Sequence, residues 1–343
     1  MGLCSQEEIR ELKALIDEGA LHQGYPDETL VRFLKAREWS VTKAHKMLVD
    51  CLSWRMENEI DQILARPIVP PDLYRAVRDS QLVGLSGYSK EPVNPFFYLF
   101  LAGVPVFALG VGLSTYDKAS VHYYVQSHIQ INEYRDRVVL PAITKKYGRH
   151  IGTCLKVLDM TGLKISALSQ IKLLTIISTV DDLNYPEKTD TYYIVNAPYI
   201  FSACWKVVKP LLQERTRKKI QVLPGCGQEE LLKVMDSSSL PHFCRREGSG
   251  SSRYSGGSGS GRGGGNCFSL DHPFHQQLYS YIREQSQRAR PAELVSEGSF
   301  HVDVPELDLE GSKIARTIEC ELHKFEDQNG LSKSMNGLVI SGD

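Results

Sequence analysis

The chain has 343 residues, 42% of them hydrophobic, enough for a two-part globular unit with tails. Forty Lys and Arg against 41 Asp and Glu leave no global field, which excludes a nucleic-acid partner held by bulk charge. Eight scattered cysteines, with no Cys-x-x-Cys pair and no zinc-like His spacing, read as reduced thiols of a cytoplasmic protein and give no metal site.

Met1 to Ala20 is charged and amphipathic, unlike a secretory leader, and Gln6 breaks the pattern that would acylate Gly2. Ser5 and Glu8 instead form a capping box for a helix carrying Ile9, Leu12, Leu15 and Ile16. Asp27 or Glu28 opens a second helix with Leu30, Val31, Phe33 and Leu34. Ser40 caps a third, bearing Val41, Ala44, Met47, Leu48, Cys51 and Leu52, which ends near Trp54 and Arg55. Pro67, Pro70 and Pro71 mark the passage to the next part. From Tyr74 to Pro241 strands and helices alternate. Val104 to Val111 is a strand, and Lys118 to Leu140 a helix with Val121, Val125 and Ile129 inward. Thr153 to Met160 is a strand and Ile165 to Val180 a helix. Such alternation predicts α/β architecture with a largely parallel sheet behind an all-helical N-terminal piece. No run reaches the ~18 apolar residues of a membrane span.

The stretch from Asn184 to Leu223 carries the most information. A turn, Asn184 to Thr189, leads into a short core strand, Thr191 to Val195. Asn196, Ala197 and Pro198 then start a helix with Phe201, Cys204, Trp205, Val208, Leu211 and Leu212 on one face and Ser202, Lys206, Lys209 and Gln213 opposite. Pro210 favours a kink near its end. The basic run Arg215 to Lys219 continues as a strand through Ile220 to Leu223. Beyond it, Glu247 to Gly265 is a Gly/Ser linker. Pro273 to Gln287 and Ser312 to Phe325 have amphipathic helical spacing, suited to docking on the domain, to a partner, or to folding on contact. The expected division is 1–70 helical module, 74–245 α/β domain, 247–265 linker and 266–343 tail.

These motifs, matching in order from about Glu28 to Phe243, resemble the CRAL-TRIO lipid-binding domain in its phosphatidylinositol/phosphatidylcholine transfer branch. Glu28-Thr-Leu-Val-Arg-Phe-Leu-Lys-Ala-Arg37 is similar to the family's N-terminal module, and Tyr185-Pro186-Glu187 to its headgroup turn. The resemblance implies that Lys219 and Thr216 contact phosphate and inositol, that Glu187 accepts from inositol hydroxyls, and that Arg37 is lent by the module. It makes Phe201, Trp205, Val208, Leu211 and Leu212 the inner face of a mobile gate. Relatives that also carry phosphatidylcholine hold its phosphate with hydroxyl side chains on the strand equivalent to Thr153 to Met160. Alternation puts Cys154 and Lys156 on that face here, so the hydroxyls are replaced and a charge is added. The departure Pro92 to Ala102, rich in Phe and Leu, reads either as a retained intron or as an apolar loop at the membrane-facing rim.

A gate has a physical reason. Exposing the roughly thirty methylenes of a diacyl lipid costs on the order of 25 kcal/mol, so a carrier must close over its cargo. A buried phosphate needs donors and compensating charge. The expected function is therefore phosphatidylinositol transfer between intracellular membranes, such as Golgi or plasma membrane, or presentation to a lipid kinase. The ligand is the phospholipid, with no cofactor. A carrier of another hydrophobic ligand, and a lipid-sensing scaffold recruiting a partner through its tail, remain alternatives. No catalytic constellation is legible: nucleophile elbow, zinc helix and Walker loop are missing, and Gly110-Val-Gly112 lacks a third glycine. Asp181-Asp182 reads as a solvated helix end.

Overall fold

The computed structural model describes residues 3–18, 26–90, 103–163, 168–212, 214–245 and 265–289, with 313, 316–318, 320 and 324. The insertion 92–102, the linker up to Gly264 and most of the second tail helix lie outside the described residues; 313, 316–318, 320 and 324 are helical.

Three helices come first: α1 (Leu3–Glu18), α2 (Asp27–Ala36) and α3 (Val41–Glu57). Apolar residues three and four apart give each a buried stripe, and Leu12, Leu30, Leu34 and Ala44 close a core of their own. Ser40 occupies the N-cap of α3 with extended backbone. The helix starts earlier than the expected cap: α1 begins at Leu3, which places Ser5 inside its first turn. A 3-10 turn, Ile60–Ala65, and α4 (Pro71–Gln81) then join the larger core, to which Ile60 and Ile63 contribute fully buried side chains.

The sheet has five strands in chain order: β1 (Val83–Tyr88), β2 (Pro105–Leu109), β3 (Cys154–Asp159), β4 (Thr189–Val195) and β5 (Ile220–Val222). β1 runs antiparallel to β2 and the others are parallel, giving the expected α/β class. The first crossover is α5 (Val121–Tyr134), a π turn (Arg135–Val139) and α6 (Leu140–Tyr147). The second is α7 (Leu168–Asn184). The third is α8 (Tyr199–Val208), a 3-10 turn at Lys209–Leu211 that contains Pro210, and α9 (Glu214–Lys219). Strand β5 leads to α10 (Gln228–Val234). No helix among the described residues is long and apolar enough to cross a membrane.

Three expectations are corrected. The helix expected to end at Leu140 runs on to Tyr147 through the π turn, and Val121 faces outward at 40% exposure. The basic run is helical, not a strand: Glu214–Lys219 is α9, and pairing with β4 starts only at Ile220. The first tail helix, α11 (Pro273–Arg288), docks on the domain, which decides among the three possibilities left by its sequence.

Phe274, Leu278 and Ile282 of α11 are buried in the main core, with Phe274 edge-on to Phe107 at 5.9 Å between ring centroids. The segment before it lies flat on β1, where a Cβ at Gly84 would collide with the Cys267 carbonyl. A polar clamp fixes the contact. His275 donates from Nε2 to the Cys267 carbonyl (3.0 Å), and its Nδ1 accepts from the buried Arg78 guanidinium (3.0 Å). Burial, helped by Arg78, pushes His275 down to about 2, so the imidazole is neutral as this geometry requires.

Candidate functional site

A cleft lies where α2, the π turn, β3, the end of α7, the turn before β4 and α9 converge. The turn sets its geometry. Asn184 ends α7, Pro186 is buried, and Glu187 takes a left-handed backbone (φ +58°), a costly conformation for a residue with a Cβ. The compensating contacts are visible: Arg32 of α2 donates to the Pro186 carbonyl at 3.2 Å, and Lys219 holds both the Glu187 carboxylate (2.7 Å) and the Thr189 carbonyl (3.1 Å). Arg215 adds a longer contact to Glu187 at 3.7 Å and donates to the Lys35 carbonyl at 3.4 Å, tying α9 to α2. Thr216 lines the same wall.

Inward, the cleft becomes an ionic network. Asp136 is shared between Arg135 (2.7 Å) and Lys188 (3.1 Å). Burial pushes Lys188 down to about 8; Asp136 opposes the shift, and Arg32 and Arg135 add to it. Asp181 lies 2.6 Å from His128 and 3.3 Å from Lys156, and accepts from Asn132 at 2.7 Å. Burial works against that carboxylate, yet His128 and Lys156 hold it well below the usual range. Lys156 loses some of its preference for charge to burial, but Asp181 more than restores it. Chemically, the cleft offers an acceptor at Glu187, a hydroxyl at Thr216 and several ammonium and guanidinium donors. That set fits a polyhydroxylated anionic group.

Of the residues singled out in the sequence, Lys156, Glu187, Thr216 and Lys219 line this cleft together. Arg37 ends α2 and donates to the Ala36 carbonyl at 3.0 Å; from that turn it is Ala36 that lines the wall. Cys154 is fully buried in the core, its Sγ 3.9 Å from Thr189 Oγ1. On α8, Phe201 and Trp205 are half-buried and stacked, with ring centroids 6.0 Å apart and planes within 15°. Leu212 is half-buried beyond them, while Ser202, Lys206 and Lys209 are exposed. The side chains of Val208 and Leu211 lie outside the described residues.

Four residues escape the sequence reading. Arg32 and Arg135 sit in helices whose apolar stripe claims the attention, and Lys188 follows the recognised turn by one position. Asp181 corrects an explicit expectation: Asp182 is exposed, but Asp181 is the centre of a partly buried network. Arg215 also reaches the cleft. The one legible signal was the dense charge of Glu133 to Arg137 inside an apolar helix pattern.

Residues 102–244 match the family described as CRAL/TRIO domain, and residues 7–50 match CRAL/TRIO, N-terminal domain. The chain is 29% identical to SEC14 cytosolic factor of Eremothecium gossypii over 252 residues, which covers 70% of this chain and 76% of that protein. It is 29% identical to Phosphatidylinositol/phosphatidylcholine transfer protein SFH9 of Arabidopsis thaliana over 249 residues, 69% of this chain but only 41% of that longer relative. Among solved structures, Sfh5 superposes with a TM-score of 0.53 at 16% identity, covering 84% of this chain and 99% of that one, a likeness of fold alone.

Proposed function

Because the chain belongs to the CRAL/TRIO family, we propose that it binds phosphatidylinositol and transfers it between membranes, or presents it to a lipid kinase. The observation that carries this reading is the Lys219–Glu187 pair, 2.7 Å apart in a cleft also lined by Thr216. On binding, the Lys219 ammonium turns toward the phosphodiester, and the released Glu187 carboxylate accepts from ring hydroxyls. One internal ion pair is thus exchanged for two charge-assisted contacts with the ligand. The acyl chains enter beneath α8, whose half-buried face carries Phe201 and Trp205, and beneath Leu212 beyond the 3-10 turn. Opening at the 3-10 turn that holds Pro210 then frees the helix to act as a gate. The protein is read as a carrier, not a catalyst, acting in the cytoplasm and peripherally at membranes. Phosphatidylcholine, named for a relative, is less suited here: Cys154 is buried and Lys156 is engaged by Asp181.

A carrier of a neutral isoprenoid would leave the Lys219–Glu187 pair without a use, at the desolvation cost of both charges. Mass spectrometry of lipids co-purifying with the wild type and with Lys219→Ala tests the reading. Phosphatidylinositol retained by the first and depleted in the second supports it. A sterol or isoprenoid indifferent to Lys219 would discard it.

A further inference from the structure

The cations of the cleft outnumber its carboxylates. Asp136 serves Arg135 and Lys188, and Glu187 serves Lys219 and Arg215. Asp181 serves Lys156 together with His128. Each carboxylate is shared. Arg32 adds a further positive charge whose hydrogen bonds go to the Pro186 carbonyl and the Thr29 hydroxyl. The carboxylates that act on it, Asp136 and Glu187, are the ones already shared, and Asp182 stands exposed at the rim. Six cations thus face four carboxylates among the described residues, an excess of two positive charges.

That excess is concentrated where water is scarcest. Side-chain exposure falls from 24% at Lys219 to 13% at Lys188, 12% at Lys156 and 3% at Arg135. Arg135 donates from Nε to Asp136 and from Nη1 to Asn132 Oδ1, but its buried Nη2 has no hydrogen-bond partner. A guanidinium group buried in this state is costly unless something completes it. The phosphodiester of phosphatidylinositol supplies a single negative charge, and Lys219 at the outer end already suits it. A second anion is called for at the inner end. Glu187 and Lys188 are consecutive residues, so outer and inner groups meet at one turn and a single inositol ring can touch both.

We infer that the inner end of the cleft is a phosphomonoester subsite, built on Arg135 and Lys188 with Lys156 beside them, so that the favoured ligand is an inositol lipid with a phosphorylated ring. This rests on the inositol-lipid reading above and narrows it. The subsite would complete the free Nη2 of Arg135 and bring the cleft's charge close to balance.

The test is vesicle co-sedimentation of the full chain with four probes: phosphatidylinositol, phosphatidylinositol monophosphate, phosphatidic acid and, as competitor, soluble inositol bisphosphate. Wild type is run beside Arg135→Gln and Lys188→Gln, with thermal unfolding recorded for each. The expected result is at least tenfold preference of the wild type for the monophosphate over phosphatidylinositol. Both variants should lose that preference while still binding phosphatidylinositol. Competition by the soluble phosphate, also lost in the variants, supports the same subsite and assigns it to the headgroup alone. Should Arg135→Gln fail to fold, Lys188→Gln alone decides. Equal binding of the two inositol lipids by the wild type overturns the inference and leaves phosphatidylinositol transfer standing. So does a preference that a folded variant retains. Phosphatidic acid bound as tightly as the monophosphate overturns the ring's part in it. Binding of neither inositol lipid defeats the broader reading instead.

Discussion

Glu133 and Arg135 stand two residues apart where α5 runs into the π turn, and their surroundings differ in kind. Glu133 accepts from Arg55 (2.7 and 3.1 Å), from the Tyr185 hydroxyl (2.7 Å) and from Arg137 (2.7 Å). Asp61 closes the set by pairing with both arginines, at 2.5 and 3.0 Å. Two arginines meet two carboxylates, and the group locks α3 and the 3-10 turn of the module side onto the sheet domain. Around Arg135 one carboxylate is divided between two cations, and a donor is left over. A balanced network that satisfies its own hydrogen bonds serves structure. An unbalanced one in an accessible cleft is prepared for a ligand.

Breaking the balanced side should have the largest effect. Glu133→Gln leaves Arg55, Arg137 and Tyr185 facing an amide, and a loss of about 3–5 kcal/mol in unfolding free energy is expected, measured by urea denaturation. If stability were unchanged, the network would be ornamental and the contrast would collapse. At the outer end of the cleft, Lys219→Ala should weaken phosphatidylinositol binding by about 1.5–3 kcal/mol, roughly ten- to a hundredfold, with a smaller stability loss of about 1 kcal/mol as the Glu187 turn loses one support. Vesicle binding beside thermal unfolding separates the two effects, and a large stability loss would move Lys219 to the structural class.

The pH response sharpens the contrast further. Lys188, at about 8 when the cleft is empty, faces Asp136, Arg32 and Arg135, and a bound phosphate raises its affinity for the proton. Below that value the amine is already charged and binding is insensitive to it. Above it, binding must take up a proton, so affinity should fall by up to about tenfold per pH unit until the liganded value is passed. Titrations between pH 7 and 9 read this directly, and Lys188→Gln should flatten the curve. The smallest effect belongs to α8, outside both networks. Trp205→Ala removes a stack worth about 0.5–1.5 kcal/mol and should change the vesicle-to-vesicle transfer rate several-fold without altering headgroup preference.

The elements that announced themselves in the sequence did so through local patterns. Leu30, Val31, Phe33 and Leu34 repeat at helical spacing, and β4 is β-branched and aromatic, so both were readable from a few residues each. Glu187, Thr216 and Lys219 were found because a turn and a basic run flank one helix. Yet the basic run reads as a strand, because nothing in Arg215 to Lys219 has a period that distinguishes one and a half helical turns from an extended lead-in. Arg32, Lys188 and Asp181 are hidden for another reason. Their partners lie between 25 and 154 residues away in several cases, as for Arg32 with Pro186 and Lys156 with Asp181, and charge pairing at such separation leaves no local trace. The π turn was invisible too, since one additional residue in a helix does not disturb a short apolar pattern.

The docking of α11 bears on synthesis. Ile60 and Ile63 are among the first core residues to leave the ribosome, whereas Phe274, Leu278 and Ile282, which pack into the same core, follow more than two hundred residues later. At typical elongation rates the emerging chain waits on the order of ten seconds or more with that side of β1 uncovered. The segment matched by the family ends at residue 244, so a nascent chain holding all of it is still an unfinished fold. Chaperone binding during translation should therefore persist until α11 has emerged, and any fusion joined at residue 245 would make that unfinished state permanent.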